Sequence, residues 1–288
     1  MQKTVSQRCL IPLIAILTIL CALAAPAHPA LAAPVAQAAP QVEAEAAVVM
    51  VAGTNQVLYE KNASAIMYPA STTKIMTLIT ALEKGDPAGI VTVSPRAAAV
   101  EGSSLDLRPG DKLTLRNNLT GMMLVSGNDA ATAIAEHVAG SVPAFVALMN
   151  AKAAKLGATN THFTNPHGLP DPINHYTTAY DLALISAYAM QNPNIVKIVS
   201  AREADISFLN RKAMHVTNTN KLLKTYPGIN GLKTGYTREA GDCLVAGAKR
   251  NGVQLIAVVL NDDNRWIDAA ALLDYGFQQL SPKKALPQ

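Results

Sequence analysis

Stretches of strand character stand near both ends of this chain, and helix-periodic sequence fills the middle. Ala46–Val51 and Gln56–Glu60 flank Gly53-Thr54-Asn55 and read as a β-hairpin. Strands return late, at Ile229–Thr237, Asp242–Lys249 and Val253–Leu260; Asn251-Gly252 between the last two is a two-residue hairpin turn. Between these ends, Thr72–Glu83 carries Ile75, Leu78, Ile79 and Leu82 at helical spacing, with Gly85 as a stop. From about Leu115 to Ala189 the pattern is mainly helical, clearest over Asp129–Val138, Val142–Leu156 and Ala179–Met190, and a last helix covers Trp266–Phe277. This order predicts an α+β domain, with an antiparallel sheet built from both termini and a helical lobe inserted between them. A cleft between sheet and lobe is the natural place for a site.

The first 32 residues read as a signal peptide. Lys3 and Arg8 precede an apolar run from Cys9 to Ala25, and Ala30-Leu31-Ala32 fits a small-x-small cleavage site. The alternative is an uncleaved membrane anchor, for which the run is at the short edge of the ~17–25 residues that span a bilayer. Residues 33–45, rich in Ala, Pro and Gln, read as a tether, 46–280 as the domain, and 281–288 as a polar tail. Loss of residues 1–32 removes two basic residues and no acid, so the formal charge falls from +4 to +2. So balanced a charge gives no argument for a nucleic-acid partner. Cys243 is then the one cysteine left, which rules out an internal disulfide.

Three short motifs carry the chemistry. In Ser71-Thr72-Thr73-Lys74, positions i and i+3 share a helix face, so Lys74 can reach the Ser71 hydroxyl and, with a lowered pKa, act as its base. The bland alternative is that Ser71 caps a helix. In Ser126-Gly127-Asn128, Ser126 can relay a proton, and the Asn128 amide can bind a substrate backbone and orient Lys74; alternatively this is a turn with an asparagine cap. Lys233-Thr234-Gly235 lies on a predicted strand. There Lys233 can neutralise a carboxylate, Thr234 can bond it, and Gly235 leaves room for a substrate backbone. The alternative is a surface strand with one solvated lysine. Ser-x-x-Lys recurs at Ser281–Lys284, so no single motif decides; the ordered triple favours an acyl-transferring serine site. No His-Glu-x-x-His, no Cys/His cluster of ligand spacing and no phosphate-cradling Gly-rich loop occurs, so neither metal nor cofactor is expected. His167 and His175 read as structural, and Cys243 as a small core residue on a strand.

Longer stretches sharpen this. Tyr68-Pro-Ala-Ser-Thr-Thr-Lys74, Met122–Ala130, Asn165-Pro-His-Gly-Leu-Pro-Asp171, His175–Leu182 and Gly231–Gly241 resemble the serine-type D-alanyl-D-alanine carboxypeptidases, the low-molecular-mass penicillin-binding proteins. The resemblance runs from about Ala46 to Phe277. It implies the penicillin-binding/β-lactamase transpeptidase-like fold and removal of the terminal D-Ala from peptidoglycan stem peptides, through an acyl-enzyme on Ser71. It also implies an oxyanion hole from the Ser71 and Tyr236 amides, a carboxylate-binding Arg265, acylation by β-lactams, and an extracytoplasmic setting at the cell wall or the outer face of the membrane. Arg238 and Asp242 depart from the family pattern at the cleft rim. Many family members also carry a further β-rich domain and an amphipathic membrane helix beyond the final helix, which this sequence is not expected to share. The alternatives on the same fold are a β-lactam sensor without turnover, a cross-link endopeptidase, and a class A β-lactamase. The last needs a deacylating glutamate, and no Glu-x-x-Leu-Asn lies between Asn128 and Lys233.

Overall fold

Strand β1 (Ala46–Val51) is apolar at every position, as suits a strand with both faces covered. In the computed structural model, which describes residues 38–281, both faces are covered. The main sheet has five strands in the order β2 (Gln56–Lys61), β1, β9 (Val253–Leu260), β8 (Gly241–Arg250) and β7 (Ile229–Thr237), every pair antiparallel. The hairpin from the start of the domain therefore joins the three strands from its end, as the sequence predicts. Alternate side chains divide two cores. Val48, Met50, Ile256 and Val258 face the helical lobe, while Ala47, Val49, Leu255 and Ala257 pack beneath helix α9 (Arg265–Leu280).

The lobe is built by α1 (Lys74–Lys84), α3 (Leu115–Val125), α4 (Asn128–Ala139) and α5 (Val142–Lys155), and α6 (Ala179–Ala189) joins it to the sheet through β1 and β9. Eight of the eleven α6 residues are buried, which explains a helix that is apolar on nearly every side. Short elements escape sequence periodicity because three to seven residues span at most about two helical turns. They are α2 (Pro95–Ala98), α7 (Pro193–Val199), α8 (Leu222–Thr225) and two small ribbons, β3 (Ile90–Thr92) with β4 (Lys112–Thr114) and β5 (Glu203–Ile206) with β6 (Met214–Thr217).

The ordered domain starts before Ala46. Val42 and Ala44 are buried, the Lys61 ammonium donates to the Val42 carbonyl at 2.8 Å, and the Glu45 amide donates to the Leu260 carbonyl at 3.1 Å. The end of the expected tether is thus docked on the sheet. The expected signal peptide (residues 1–32), residues 33–37 and the tail beyond Ser281 lie outside the described residues. Among the described residues, no single helix is long and apolar enough to cross a membrane.

Candidate active site

Ser71 does not cap a helix. Pro69 leads into a 3-10 turn over Ala70–Thr73, and α1 starts only at Lys74, two residues later than its periodicity suggests. Neither end residue of that turn makes a side-chain cap. The Thr72 hydroxyl instead donates back to the Pro69 carbonyl at 2.6 Å. Ala70 holds φ at 46°, a left-handed conformation that costs an alanine roughly 1–2 kcal/mol. The loop 165–169 packs against that residue. A Cβ on Gly168, at φ +95°, would stand 1.8 Å from the Ala70 carbonyl oxygen, so only glycine fits. Asn165 braces the loop: its Oδ1 accepts from the Gly168 amide at 2.7 Å and its Nδ2 donates to the Leu169 carbonyl at 2.9 Å.

The Lys74 side chain is fully buried beneath Ser71. Its Nζ lies 2.8 Å from Ser71 Oγ, 2.7 Å from Asn128 Oδ1 and 2.7 Å from the His167 carbonyl. Two of these partners accept only, whereas the third is a hydroxyl that can donate. A neutral amine satisfies all three at once, with two N–H groups donated and its lone pair facing the Ser71 proton. Burial first, and then the charge of Lys233, push Lys74 well below the ordinary lysine range, with Asp129 pulling the other way.

Asn128 opens α4 beside Ser126, whose φ of 66° ends α3. Its side chain orients Lys74 instead of capping the helix, and its Nδ2 donates to the Glu101 carbonyl at 2.7 Å. Next to it, the Asp129 carboxylate accepts from the Leu105 amide (2.9 Å), the Leu107 amide (3.0 Å) and the Ser104 hydroxyl (2.7 Å), which fixes the loop behind the motif.

Lys233 is no solvated strand residue. It is 1% exposed, and burial, with the Arg265 charge second, pushes it down to about 7. Its Nζ donates to the Thr234 carbonyl at 3.0 Å, and the Thr234 hydroxyl lies 2.8 Å from that of Thr219. Gly235 lets β7 lie against the serine turn, since a Cβ there would be 3.1 Å from the Ser71 amide nitrogen. Strand β7 is also an edge of the sheet. Ser71, Ser103, Ser126, Thr219, Thr234 and Gly235 line a cavity of about 230 Å³, with Lys221, Tyr236, Arg265 and Trp266 also on its wall. Larger hollows of about 390 and 420 Å³ lie beside α9 and between α1 and α7, and neither holds a nucleophile with a base.

All nine residues singled out in the sequence therefore meet at one place, six on the cavity wall, with Lys74, Asn128 and Lys233 beneath. Arg265 reaches the wall already engaged: its Nη1 donates to the Gly235 carbonyl at 2.8 Å and pairs with Asp242 at 3.0 Å. His175 is structural here. Its Nδ1 accepts from the Thr164 amide at 3.1 Å, which leaves Nε2–H to donate to Thr73 Oγ1 at 2.9 Å, and burial pushes its pKa down to about 4. Cys243 is buried on β8. The contributions of the His167 carbonyl, Ser103, Thr219 and Lys221 have no motif to announce them, because backbone acceptors and loop residues are placed by tertiary contacts.

The family model for D-alanyl-D-alanine carboxypeptidases, peptidase S11, matches residues 33–264. The chain belongs to that family. The D-alanyl-D-alanine carboxypeptidase DacF of Bacillus subtilis is 40% identical over 245 residues, covering 82% of this chain and 63% of the relative's length. A D-alanyl-D-alanine carboxypeptidase structure from Mycobacterium tuberculosis superposes with a TM-score of 0.81 at 35% identity, over 88% of this chain and 97% of that one. A DD-transpeptidase structure from Streptomyces K15 gives 0.79 at 34% identity, over 83% and 99%. These likenesses, with the sheet and lobe above, establish the penicillin-binding/DD-transpeptidase fold for this D-alanyl-D-alanine carboxypeptidase family member.

Proposed function

We propose that this chain is a serine-type D-Ala-D-Ala carboxypeptidase. The observation that carries the reading is the buried Lys74 amine, held by two obligate acceptors with its third contact 2.8 Å from Ser71 Oγ. A stem peptide would add as an extended strand along the β7 edge, its terminal carboxylate near Thr234 and its penultimate D-Ala carbonyl over Ser71. Ser71 Oγ attacks that carbonyl as its proton passes to Lys74. The Ser71 and Tyr236 amides face the developing oxyanion. The C–N bond then breaks, Ser126 relays a proton to the departing amine, and D-Ala leaves an ester on Ser71. Water hydrolyses the ester, returning the hydroxyl proton to Ser71 and releasing the shortened peptide.

The substrate places the activity outside the cytoplasm, at the peptidoglycan, with the N-terminal segment as its export signal or membrane tether. β-Lactams, as mimics of the D-Ala-D-Ala end, acylate the same serine. The stretch between Asn128 and Lys233 carries no Glu-x-x-Leu-Asn, which supports slow release of that adduct and argues against a β-lactamase. The test is to incubate the purified domain with diacetyl-Lys-D-Ala-D-Ala and assay free D-alanine, with Ser71→Ala alongside. Release by the wild type that the variant abolishes is the expected result. Penicillin labelling of Ser71 without release would move the assignment to a sensor or an endopeptidase.

A further inference from the structure

The cavity beside Ser71 is walled by two cations, and they are not equivalent. The Arg265 guanidinium is shared among Asp242 Oδ1 at 3.0 Å and the carbonyls of Gly235 at 2.8 Å and Cys243 at 3.3 Å. Lys221 has no ion-pair or hydrogen-bond partner for its ammonium among the described residues; its Nζ stands 5.7 Å from the centre of the Trp266 ring. Trp266 also stacks with the Arg265 guanidinium at 4.9 Å, so one indole lies against both cations.

The backbone that carries Lys221 is anchored to strand β7. Thr219 bonds the Thr234 hydroxyl at 2.8 Å. Asn220, 2% exposed, donates from Nδ2 to the Gly231 carbonyl at 3.2 Å, and its Oδ1 accepts from the Leu222 amide at 3.1 Å. Residues 219–221 therefore run along the wall that Thr234 contributes, and a side chain from Lys221 is delivered to that wall by fixed main chain.

We propose that Lys221 is a specificity-determining residue that reads the free carboxylate of the substrate, as the uncompensated cation of the cavity rim. The proposal rests on the carboxypeptidase reading for the identity of the peptide, but the anion it recognises is common to stem peptides and β-lactams. An acidic group entering the cavity meets a fully available ammonium at Lys221, whereas at Arg265 it must compete with Asp242. Because Lys221 is exposed and is not among the hydrogen-bond partners of the Lys74 amine, it acts on the binding of the carboxylate and leaves the proton transfer alone.

The experiment compares the acylation of Ser71 by benzylpenicillin and by its methyl ester, in the wild type, Lys221→Met and Lys221→Arg, at low and high salt. Loss of the charge should slow the acid roughly fivefold at low salt, which is the upper range for an exposed ion pair. The ester should be unaffected, the arginine variant should restore the rate, and salt should shrink the difference. On the tripeptide, Lys221→Met should raise KM and leave kcat in place. Equal slowing of acid and ester, or no slowing of the acid, overturns the proposal. A wild type that acylates without releasing D-alanine defeats the carboxypeptidase reading, while the acid–ester contrast still decides Lys221. A wild type that never acylates removes both.

Discussion

Lys74 and Lys221 belong to the same cleft and have little else in common. The first is fully buried, with three partners within 2.8 Å and its charge disfavoured by burial and by Lys233. The second is exposed and, among the described residues, its ammonium meets only the face of the Trp266 indole. The floor of the site thus spends the stability of the fold on a reactive amine, and the rim offers charge that water still screens. Changes at the floor should alter the rate and pH dependence of the chemistry. Changes at the rim should alter how an anionic ligand is held.

The largest break in that contrast should come from Gly168, which touches no substrate. In Gly168→Ala the new Cβ would stand 1.8 Å from the Ala70 carbonyl, at a backbone angle that alanine resists. The loop or the serine turn must then move, and the His167 carbonyl leaves Lys74 with it. Thermal unfolding should show a loss of about 2–3 kcal/mol. The acylation rate should fall by about a hundredfold or more, because misplacement of about 1 Å is enough for that. A variant that folds less well but keeps its acylation rate would show that the loop supports the fold and not the base.

This same position marks what the sequence could convey. The sheet was legible because its strands carry long apolar runs and an Asn-Gly turn at Asn251-Gly252. Ser71, Lys74, Asn128 and Lys233 were legible because their spacings repeat a known chemistry. The start of α1 is less legible: its apolar spacing begins only at Ile75, and nothing local reveals that Ala70 is left-handed where the loop around Gly168, almost a hundred residues away, packs against it. The His167 carbonyl was invisible for the same reason, since a backbone oxygen carries no residue signature. Arg265 was named from the family resemblance, but its pairing with Asp242, read only as a departure at the rim, depends on how the first residue of α9 sits against β8.

A finer division of the floor lies in two substitutions with opposite signs. Activity requires neutral Lys74, so the acid limb of kcat/KM follows its pKa. The Lys233 charge depresses that pKa and the Asp129 carboxylate raises it. His167 and His175, the other titratable groups around Lys74, are pushed by burial to about 3 and about 4 and stay neutral across the working range. Lys233→Gln should therefore move the acid limb to higher pH, and Asp129→Asn should move it to lower pH. Asp129→Asn also loosens the loop 104–107, which lowers the plateau without moving the limb. A full pH–rate profile separates the two effects, and limbs that shift together would refute the assignment of Lys74 as the base.

The smallest effect belongs to the rim, at Asp242. Its carboxylate pairs with Arg265 at 3.0 Å, and both side chains retain some exposure. Asp242→Asn keeps the shape and one acceptor while removing the counter-charge, so Arg265 joins Lys221 as a cation open to a substrate carboxylate. Exposed pairs are worth at most about 1 kcal/mol, so KM for the tripeptide should fall about twofold at low salt, with kcat unchanged. Combined with Lys221→Met, the substitution should recover part of the lost affinity, because the two cations would then serve one anion. If Asp242→Asn instead changes kcat, Arg265 acts through the β7 backbone at Gly235, and the division between a reactive floor and a recognising rim fails at that strand.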